Sequence, residues 1–372
     1  MFHARYIMIG GFLGAGKTTA ILKIAEQLHE RKMRVGLITN DQSSGLVDTT
    51  MLGAHGFAVE EITGGCFCCK FNSLVEASEK LRAEARPDVF LAEPVGSCTD
   101  LKATVSYPLR QMYGEKVSIA PLSVMIDPLR ALRVLGIEPG KSFSPKVRYI
   151  YNKQLEEADI IVINKCDVLD DDRLDNLQQA LKAKFPGASV VRTVARRNKG
   201  ISEWIDLIDA TDLGVAASME MDYDEYAQGE ALLGWLNASF KIEATEDFDG
   251  NSLLEHLGSQ IQIQAETAAG EIAHLKMTLV PETGNDLAVA NLVGGDAATE
   301  LSYRLVEPLQ CGRLILNLRA ECDPRNLQAI VEQVLQAACR SHRLSVTHQQ
   351  CDAFRPGRPT PTHRVTTTSS LE

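Results

Sequence analysis

The chain has 372 residues, and its 38 Lys and Arg against 49 Asp and Glu give a net charge of -11. This length exceeds one ordinary core and predicts two domains, one of them large enough for a nucleotide-binding unit of about 200 residues. The negative balance argues against nucleic acid and against an anionic membrane surface as partners.

The sequence shows neither a long apolar run nor a leader. No run of about 18 apolar residues occurs, and the N-terminus enters a strand without a basic segment followed by an apolar stretch. The nine cysteines are an odd number scattered along the chain, a pattern that favours reduced thiols over a disulfide scaffold. We therefore expect a cytoplasmic protein with no membrane partner.

The first predicted domain, residues 1–212, alternates apolar runs with amphipathic stretches. The runs are nearly continuous, which is typical of strands buried on both faces of a mostly parallel sheet. From Thr18 to Glu30, apolar residues recur at helical spacing, which predicts a βαβ unit with helices on both faces of the sheet. The predicted strands are Tyr6–Ile9, Arg34–Ile38, Asp88–Ala92, Leu122–Ile126, Asp159–Ile163 and Ser189–Val191.

The composition changes after Asp212, and a linker is predicted at 213–228. Residues 229–353 are predicted to form a smaller α+β domain with helices on one face of an antiparallel sheet. The tail 354–372, rich in Pro, Thr, Ser and Arg, is predicted to be disordered. The predicted elements are strands Phe240–Glu243, His274–Val280, Leu287–Ala290 and Arg313–Leu318, and helices Leu253–Ile263 and Asn326–Arg340.

The segment Gly11–Thr18 matches the phosphate-loop pattern G-x-x-x-x-G-K-[ST] between a predicted strand and a predicted helix. In such a loop the backbone N–H groups face a phosphate chain, Lys17 contacts its β and γ oxygens, and the Thr18 hydroxyl binds Mg²⁺. The fold class is thus predicted to be an α/β P-loop NTPase followed by the smaller α+β domain. The candidate phosphate-binding residues are Gly11, Gly14, Ala15, Gly16, Lys17, Thr18 and Thr19.

A second pattern, N-K-x-D, is formed by Asn164, Lys165 and Asp167 directly after a predicted strand. Ligands bind at this carboxyl edge of open α/β sheets. A carboxylate at Asp167 can accept hydrogen bonds from guanine N1–H and the 2-amino group, which adenine does not offer in that arrangement. The sequence therefore predicts GTP rather than ATP as the nucleotide.

A third pattern, E-x-x-G, places Glu93 and Gly96 at the end of another strand. Such a carboxylate can approach the metal's water shell, and the Gly N–H can approach the γ-phosphate. Acidic candidates also occur after Ile38, where Asp41 is preferred to Asp48. We expect Thr18, Asp41 and Glu93 to hold Mg²⁺, and Lys17 to join them in catalysis.

The most unusual feature is a C-x-C-C cluster formed by Cys66, Cys68 and Cys69. Thiolates select Zn²⁺ and other thiophilic metals, so the cluster is a candidate metal site. Adjacent Cys68 and Cys69 are expected to point in different directions, which leaves open whether all three bind. Buried thiols that only pack, or a redox pair, are the alternatives. Cys98 and the other cysteines are expected to be isolated and ordinary.

Together, these segments resemble the CobW-type GTPases, relatives of the nickel-insertion GTPases UreG and HypB. The resemblance rests on residues 10–19, 64–69, 93–96 and 164–167 and covers roughly residues 5–210. It implies a nucleotide-gated metallochaperone or metalloenzyme-maturation factor with a client metalloprotein as partner. The GTP state would control retention of a metal by the three cysteines, and turnover would be slow without a client or a second copy in a homodimer.

The chain departs from the family pattern in two places. The usual Asn-Glu-Phe-Gly stretch reads Asn40-Asp41-Gln42-Ser43, so the acidic role passes to Asp41, and the His-rich loop is absent. Zinc is the first expectation for the metal, with Co²⁺, Ni²⁺ and Fe²⁺ left open. A small-molecule kinase, or an interaction module that binds nucleotide without turnover, remains as an alternative function.

Overall fold

A computed structural model describes residues 4–40, 52, 55–210, 218–268, 270–284, 286–294 and 297–366. The chain divides into two compact units, the first comprising 1–140, 144–227 and 358–372 and the second 141–143 and 228–357. Of the expected linker, residues 218–227 group with the first unit. Residues 355–366 contain neither helix nor strand, yet the part from Arg358 onward also groups with the first unit.

The first unit is built on a sheet in which every described strand pair is parallel. The strand order is β3-β2-β4-β1-β6-β7-β8, with β5 paired to β1. The strands are β1 (Ala4–Gly11), β2 (Val35–Asn40), β3 (Ala58–Ile62), β4 (Val89–Glu93), β5 (Val117–Ile119), β6 (Ser123–Ile126), β7 (Ile160–Ile163) and β8 (Ser189–Arg192).

Helices connect these strands and supply the rest of the core. In α1 (Lys17–Glu30), Ile21, Ile24 and Leu28 are buried against β1, β2 and β4, as their helical spacing predicts. The other α-helices among the described residues of this unit are α2 (Phe71–Glu84), α3 (Tyr107–Tyr113), α4 (Pro128–Val134), α5 (Pro145–Glu157), α6 (Asp171–Lys184), α7 (Ile201–Asp209) and α8 (Tyr223–Leu232).

The second unit contains an antiparallel sheet ordered β12-β11-β10-β13-β9-β14. Helices α9 (Gly250–Thr267) and α10 (Pro324–His342) begin at Asp249 and Asp323, whose side chains accept backbone N–H bonds as N-caps. Their apolar faces share one core with the sheet. The strands are β9 (Gly234–Phe248), β10 (Glu271–Pro281), β11 (Ala288–Leu292), β12 (Glu300–Tyr303), β13 (Leu309–Glu321) and β14 (Leu344–Phe354).

The predicted fold class, an α/β P-loop unit followed by a smaller α+β unit, is confirmed. None of the helices in the described ranges combines the length and the apolar character that crossing a bilayer requires. Because β1, β2, β4, β6 and β7 are parallel, their carboxyl ends meet at one edge of the sheet. The candidate site lies at this edge.

Candidate functional site

The phosphate loop connects β1 to α1 and has the backbone that its glycines permit. Gly16 precedes the helix at φ 93°, and a Cβ there would meet Nδ2 of Asn164 at 2.5 Å, so a larger residue would be both strained and obstructed. Lys17 is buried, and its Nζ donates to the Gly11 carbonyl at 3.0 Å. The Lys17 ammonium thus lies over the phosphate loop, where it is predicted to contact the β and γ oxygens of the nucleotide.

Glu93, at the end of β4, reaches the same loop. The Thr18 hydroxyl donates to Oε1 of Glu93 at 3.2 Å, and Nζ of Lys17 is 3.8 Å from that oxygen. Three predicted residues of the magnesium and phosphate machinery are therefore in mutual contact. Asp41, the other predicted magnesium ligand, and the alternative Asp48 lie outside the described residues.

The N-K-x-D segment is hydrogen-bonded to the phosphate loop rather than merely near it. Nδ2 of Asn164 donates to the Ala15 carbonyl at 2.9 Å, and Nζ of Lys165 donates to the Gly14 carbonyl at 2.9 Å. Oδ1 of Asn164 accepts from Thr193 at 3.1 Å. Asn164 therefore links the end of β7 to the phosphate loop. Lys165, whose backbone is in the left-handed region at φ 55°, makes a second link to the same loop.

Asp127, which the sequence analysis did not select, completes this bridge. Its Oδ2 accepts from Nζ of Lys165 at 2.9 Å, and its Oδ1 caps α4 by accepting from the Arg130 amide at 3.1 Å. Burial alone would raise the pKa of this carboxyl, but the Lys165 and Arg130 cations outweigh burial and hold the pKa below its usual range. An Asp-Pro pair directly after an apolar strand was the available signal.

Asp167 has one oxygen without a partner. Oδ2 accepts from Arg196 at 2.6 Å and lies 3.4 Å from Arg197, whereas Oδ1 is buried and has no hydrogen-bond partner among the described residues. Burial alone would raise the pKa of this carboxyl, but the hydrogen bond and the charge of Arg196 outweigh burial, so the pKa lies below its usual value. An ionised carboxylate with an unsatisfied oxygen is suited to accept N–H groups from guanine.

The cysteine cluster is held at the carboxyl edge of β2 by Asn40. Nδ2 of Asn40 donates to the Ile62 and Gly65 carbonyls at 3.0 and 2.7 Å, and its Oδ1 accepts from the Phe67 amide at 2.9 Å. The turn closes where the Cys69 amide donates to the Cys66 carbonyl at 3.0 Å. One asparagine side chain thus positions the cluster relative to the end of β2.

All three sulfurs converge, contrary to the expectation that Cys68 and Cys69 point apart. Cys66 Sγ is 2.8 Å from Cys68 Sγ and 3.3 Å from Cys69 Sγ, and the last two are 3.7 Å apart. Cys66 and Cys68 are buried and Cys69 is half-exposed. The hydrogen bonds with Cys68 and Cys69 hold the pKa of Cys66 well below its usual range, while the bond with Cys66 raises the pKa of Cys69 to about 11.

This geometry fits a thiophilic metal. The three ligand atoms lie within 4.8 Å of one another, and Zn–S bonds of about 2.3 Å in a tetrahedron place sulfurs ~3.8 Å apart. To reach that spacing, the Cys66–Cys68 pair would have to separate by about 1 Å and the Cys66–Cys69 pair by about 0.5 Å, whereas the Cys68–Cys69 pair already fits. Three thiolates leave the fourth tetrahedral position for another ligand.

A fourth thiol influences the cluster. Cys98, expected to be isolated, is 1% exposed, and its side chain lowers the pKa of Cys66 and raises that of Cys68. It follows β4 in the loop that begins at Glu93. No local pattern in the sequence indicated this influence.

The C-terminal segment contacts the cluster from another side. The Thr360 amide donates to Cys69 Sγ at 3.3 Å, and the Thr362 amide donates to the Cys68 carbonyl at 2.8 Å. The His363 ring packs edge-on against Phe71 with centroids 4.9 Å apart. Residues from a segment expected to be disordered therefore lie against the candidate metal site.

Comparisons with known proteins agree with this geometry. Residues 5–192 match the family model described as CobW/HypB/UreG, nucleotide-binding domain. The zinc-regulated GTPase metalloprotein activator 1 of Dictyostelium discoideum is 23% identical over 215 residues, covering 50% of this chain and 45% of that protein. The zinc chaperone YeiR of Escherichia coli K12 is 29% identical over 161 residues, 43% of this chain and 46% of that protein.

Among solved structures, the hydrogenase maturation factor HypB from Archaeoglobus fulgidus is 20% identical with a TM-score of 0.40, covering 56% of this chain and 89% of that one. The chain spans about half the length of the curated relatives it matches. The family match nonetheless extends over half of the sequence and contains all four motifs. The chain belongs to the CobW/HypB/UreG nucleotide-binding domain family.

Proposed function

We propose that this protein hydrolyses GTP with Mg²⁺ and uses its nucleotide state to control a thiophilic metal, zinc first among the candidates, that it delivers to a client metalloprotein. The observation that carries the proposal is the convergence of the Cys66, Cys68 and Cys69 thiols at the same sheet edge as the phosphate loop. The metal is cargo here, and the proposed setting is the cytoplasm.

The phosphate side of the reaction falls to residues already in contact. Lys17 would exchange its bond to the Gly11 carbonyl for the β and γ oxygens of GTP, and Thr18 and Glu93 would hold Mg²⁺, which neutralises charge on the phosphates. Gly96 packs so closely that a Cβ would meet Leu13 N at 3.0 Å. The Gly96 N–H is therefore suited to donate a hydrogen bond to the γ-phosphate.

The guanine preference is supported by Asp167 and its neighbours. Oδ1 of Asp167 supplies an unsatisfied buried acceptor, and Lys165 is held between Gly14 and Asp127. A missing partner for a buried carboxylate oxygen is costly, so a ligand that donates two N–H groups gains affinity there. ATP offers no such pair.

We infer that nucleotide state controls the metal through two segments that contact both the nucleotide site and the cysteine cluster or adjoin them. Asn40 holds the cysteine turn and directly precedes the segment that includes Asp41, and Glu93 begins the loop that ends at Cys98. A γ-phosphate that repositions these segments would change metal affinity. A tenfold change needs only about 1.4 kcal/mol.

Hydrolysis assays test the enzymatic half of the proposal. Purified reduced protein with Mg²⁺ should release phosphate from GTP faster than from ATP, and Lys17→Ala and Thr18→Ala should abolish release while circular dichroism stays unchanged. The matched control is Lys23→Ala. Lys23 also lies on α1, where it pairs with Glu26 away from the phosphate loop, so this variant should keep its turnover. Equal rates in wild type and Lys17→Ala would refute the assignment, and GTP binding without turnover under any metal condition would favour the interaction module.

A further inference from the structure

The C-terminal segment, residues 358–366, belongs to the first unit and forms neither helix nor strand there. Pro359 and Pro361 favour an extended backbone and supply no N–H group. Over 359–362 the backbone donors are therefore those of Thr360 and Thr362. Both of these donors are used, and both are used on the cysteine turn.

Three hydrogen bonds join this segment to the cysteine turn. The Thr360 amide donates to Cys69 Sγ at 3.3 Å, and the Thr362 amide donates to the Cys68 carbonyl at 2.8 Å. The Thr362 hydroxyl adds a bond to the Cys69 carbonyl at 3.2 Å. One bond thus reaches a candidate metal-binding sulfur itself, and the other two hold the backbone of the residues that carry such sulfurs.

Beyond the cysteine turn the C-terminal segment is anchored to the same unit. Nε of Arg364 donates to Oδ2 of Asp100 at 2.6 Å, and the Val365 amide donates to the Ala103 carbonyl at 2.9 Å. The Asp100 carboxylate is almost fully buried, so its pairing with Arg364 is costly to break. These anchors follow Thr360 closely in the chain and so hold its amide at the sulfur.

The C-terminal segment lies at the accessible side of the cysteine cluster. Cys66 and Cys68 are 6% and 1% exposed, whereas Cys69 is half-exposed. An incoming ligand reaches a metal on these sulfurs from the side of Cys69, where the Thr360 amide is bonded. An N–H group that donates to a thiolate stabilises its charge, and such outer contacts strengthen the hold of a ligand on its metal. The segment therefore opposes both access to the metal and loss of the Cys69 ligand.

We propose that the C-terminal segment controls how fast the protein gives up its metal: the metal is retained while Thr360 is bonded to Cys69, and a client takes it only after displacing the segment. This inference rests on the proposed function and names a regulation of the same site. In the transfer, a client thiol binds the metal as the Cys69–metal bond breaks, and its proton passes to the released thiolate. The displaced contacts are made mainly by backbone N–H groups, so an extended segment of the client can replace them.

The rate of zinc transfer tests the proposal. Reduced full-length protein carrying one equivalent of Zn²⁺ is mixed with an excess of a chromogenic chelator in a stopped-flow instrument. Thr360→Pro replaces the amide hydrogen by a ring carbon in a segment already rich in proline, whereas Thr360→Ala keeps the amide and is the matched control. We expect transfer from Thr360→Pro to be about tenfold faster, the effect of one charge-assisted hydrogen bond, and transfer from Thr360→Ala to match the wild type. Equal rates in the two variants would overturn the proposal.

Two shortened chains test the segment as a whole. A chain that ends at Gly357 lacks it and should release zinc at least about tenfold faster than the full-length protein. A chain that ends at Thr366 keeps the segment and should release zinc at the full-length rate. Equal release from the two shortened chains would contradict the proposal. GDP binding verifies the fold of the shorter chain, and the two Thr360 variants decide the matter if that chain does not fold.

The same measurements separate this proposal from the proposed function. Cys66→Ser should lose zinc, and if it binds zinc as tightly as the wild type, the metal function itself is wrong. Zinc binding that depends on Cys66, together with wild-type release rates in Thr360→Pro and in the chain that ends at Gly357, would leave the metal site in place and refute only its control by the C-terminal segment.

Discussion

Arg364 and Asp100 form an ion pair that joins the C-terminal segment to the loop region after β4. Nε of Arg364 donates to Oδ2 of Asp100 at 2.6 Å, and Tyr223 donates to the same oxygen at 2.7 Å. The Asp100 side chain is 2% exposed, so its carboxylate depends on these partners. Residues 358–366 are thereby attached to the unit that holds the cysteine cluster.

Arg364→Ala should destabilise the first unit, since it leaves Asp100 buried with Tyr223 as its remaining partner among those described here. Loss of one member of a largely buried pair costs about 2 kcal/mol after allowance for the 27% exposure of the arginine. Urea unfolding measures this cost. Arg358→Ala, whose pair with Asp224 is exposed on both sides, is the matched control, and an equal loss in both variants would contradict the prediction.

Glu157 should make stability depend on pH. Burial, and then the Asp100 charge, raises its pKa to about 8 from 4.5 in an unfolded chain. Between these values the native state retains a proton that the unfolded state has lost, so this group lowers stability as pH rises, by up to about 1.4 kcal/mol per pH unit.

Glu157→Gln removes this titration. From pH 5.5 to pH 8, the unfolding free energy of this variant should fall less than that of the wild type. This difference in slope is expected even if the substitution lowers stability by a constant amount at every pH. Thr99 and Lys102 donate to different oxygens of Glu157, so the glutamine carbonyl keeps one of these two hydrogen bonds, and the loss of the other is a cost that does not depend on pH. Parallel pH profiles for the two proteins would show that Glu157 titrates normally.

Asp127→Asn should weaken guanine-nucleotide binding, because Lys165 loses the charge that holds it over the phosphate loop. We expect a loss of about tenfold, the size of one charge-assisted hydrogen bond. Asparagine keeps the N-cap of α4, so circular dichroism should not change. Asp175→Asn, which breaks an exposed pair with Arg192, is the control, and a similar effect of both substitutions would argue against positioning by Asp127.

Asp167→Asn should exchange nucleotide specificity. GTP affinity should fall about 10- to 100-fold, since a carboxylate acceptor for two N–H groups is lost. Xanthosine triphosphate should gain affinity, because the asparagine amide can donate where xanthine presents an oxygen. Competition binding with GTP, ATP and xanthosine triphosphate measures both changes. A wild type that binds ATP and GTP equally would contradict the guanine assignment.

The sequence was sufficient for the family, the fold class and the main strands of both units, because buried parallel strands and contiguous motifs carry local signals. The strands it missed lie mainly at sheet edges. β3 is only partly buried and β14 is mostly exposed, so neither has a continuous apolar run or strict alternation.

The missed features of the site depend on contacts between distant segments. The Asp-Pro pair at Asp127 is a local signal, but the contact of Asp127 with Lys165 exists only because β6 and β7 are adjacent. The effect of Cys98 on Cys66 likewise depends on where the fold places the loop after β4. The segment at 358–366 has a composition typical of disorder, yet its amides and Arg364 find partners in Cys68, Cys69 and Asp100. Spacing along the chain does not encode such contacts.

The most direct measurement is a calorimetric titration of Zn²⁺ into the reduced protein in three states: free, bound to GDP, and bound to a non-hydrolysable GTP analogue. The account predicts one metal per chain, proton release on binding, and an affinity that differs at least about tenfold between the two nucleotide states. Zinc should in turn change nucleotide affinity by the same factor. Identical metal affinity in all three states would contradict the account and leave the cysteines a static site.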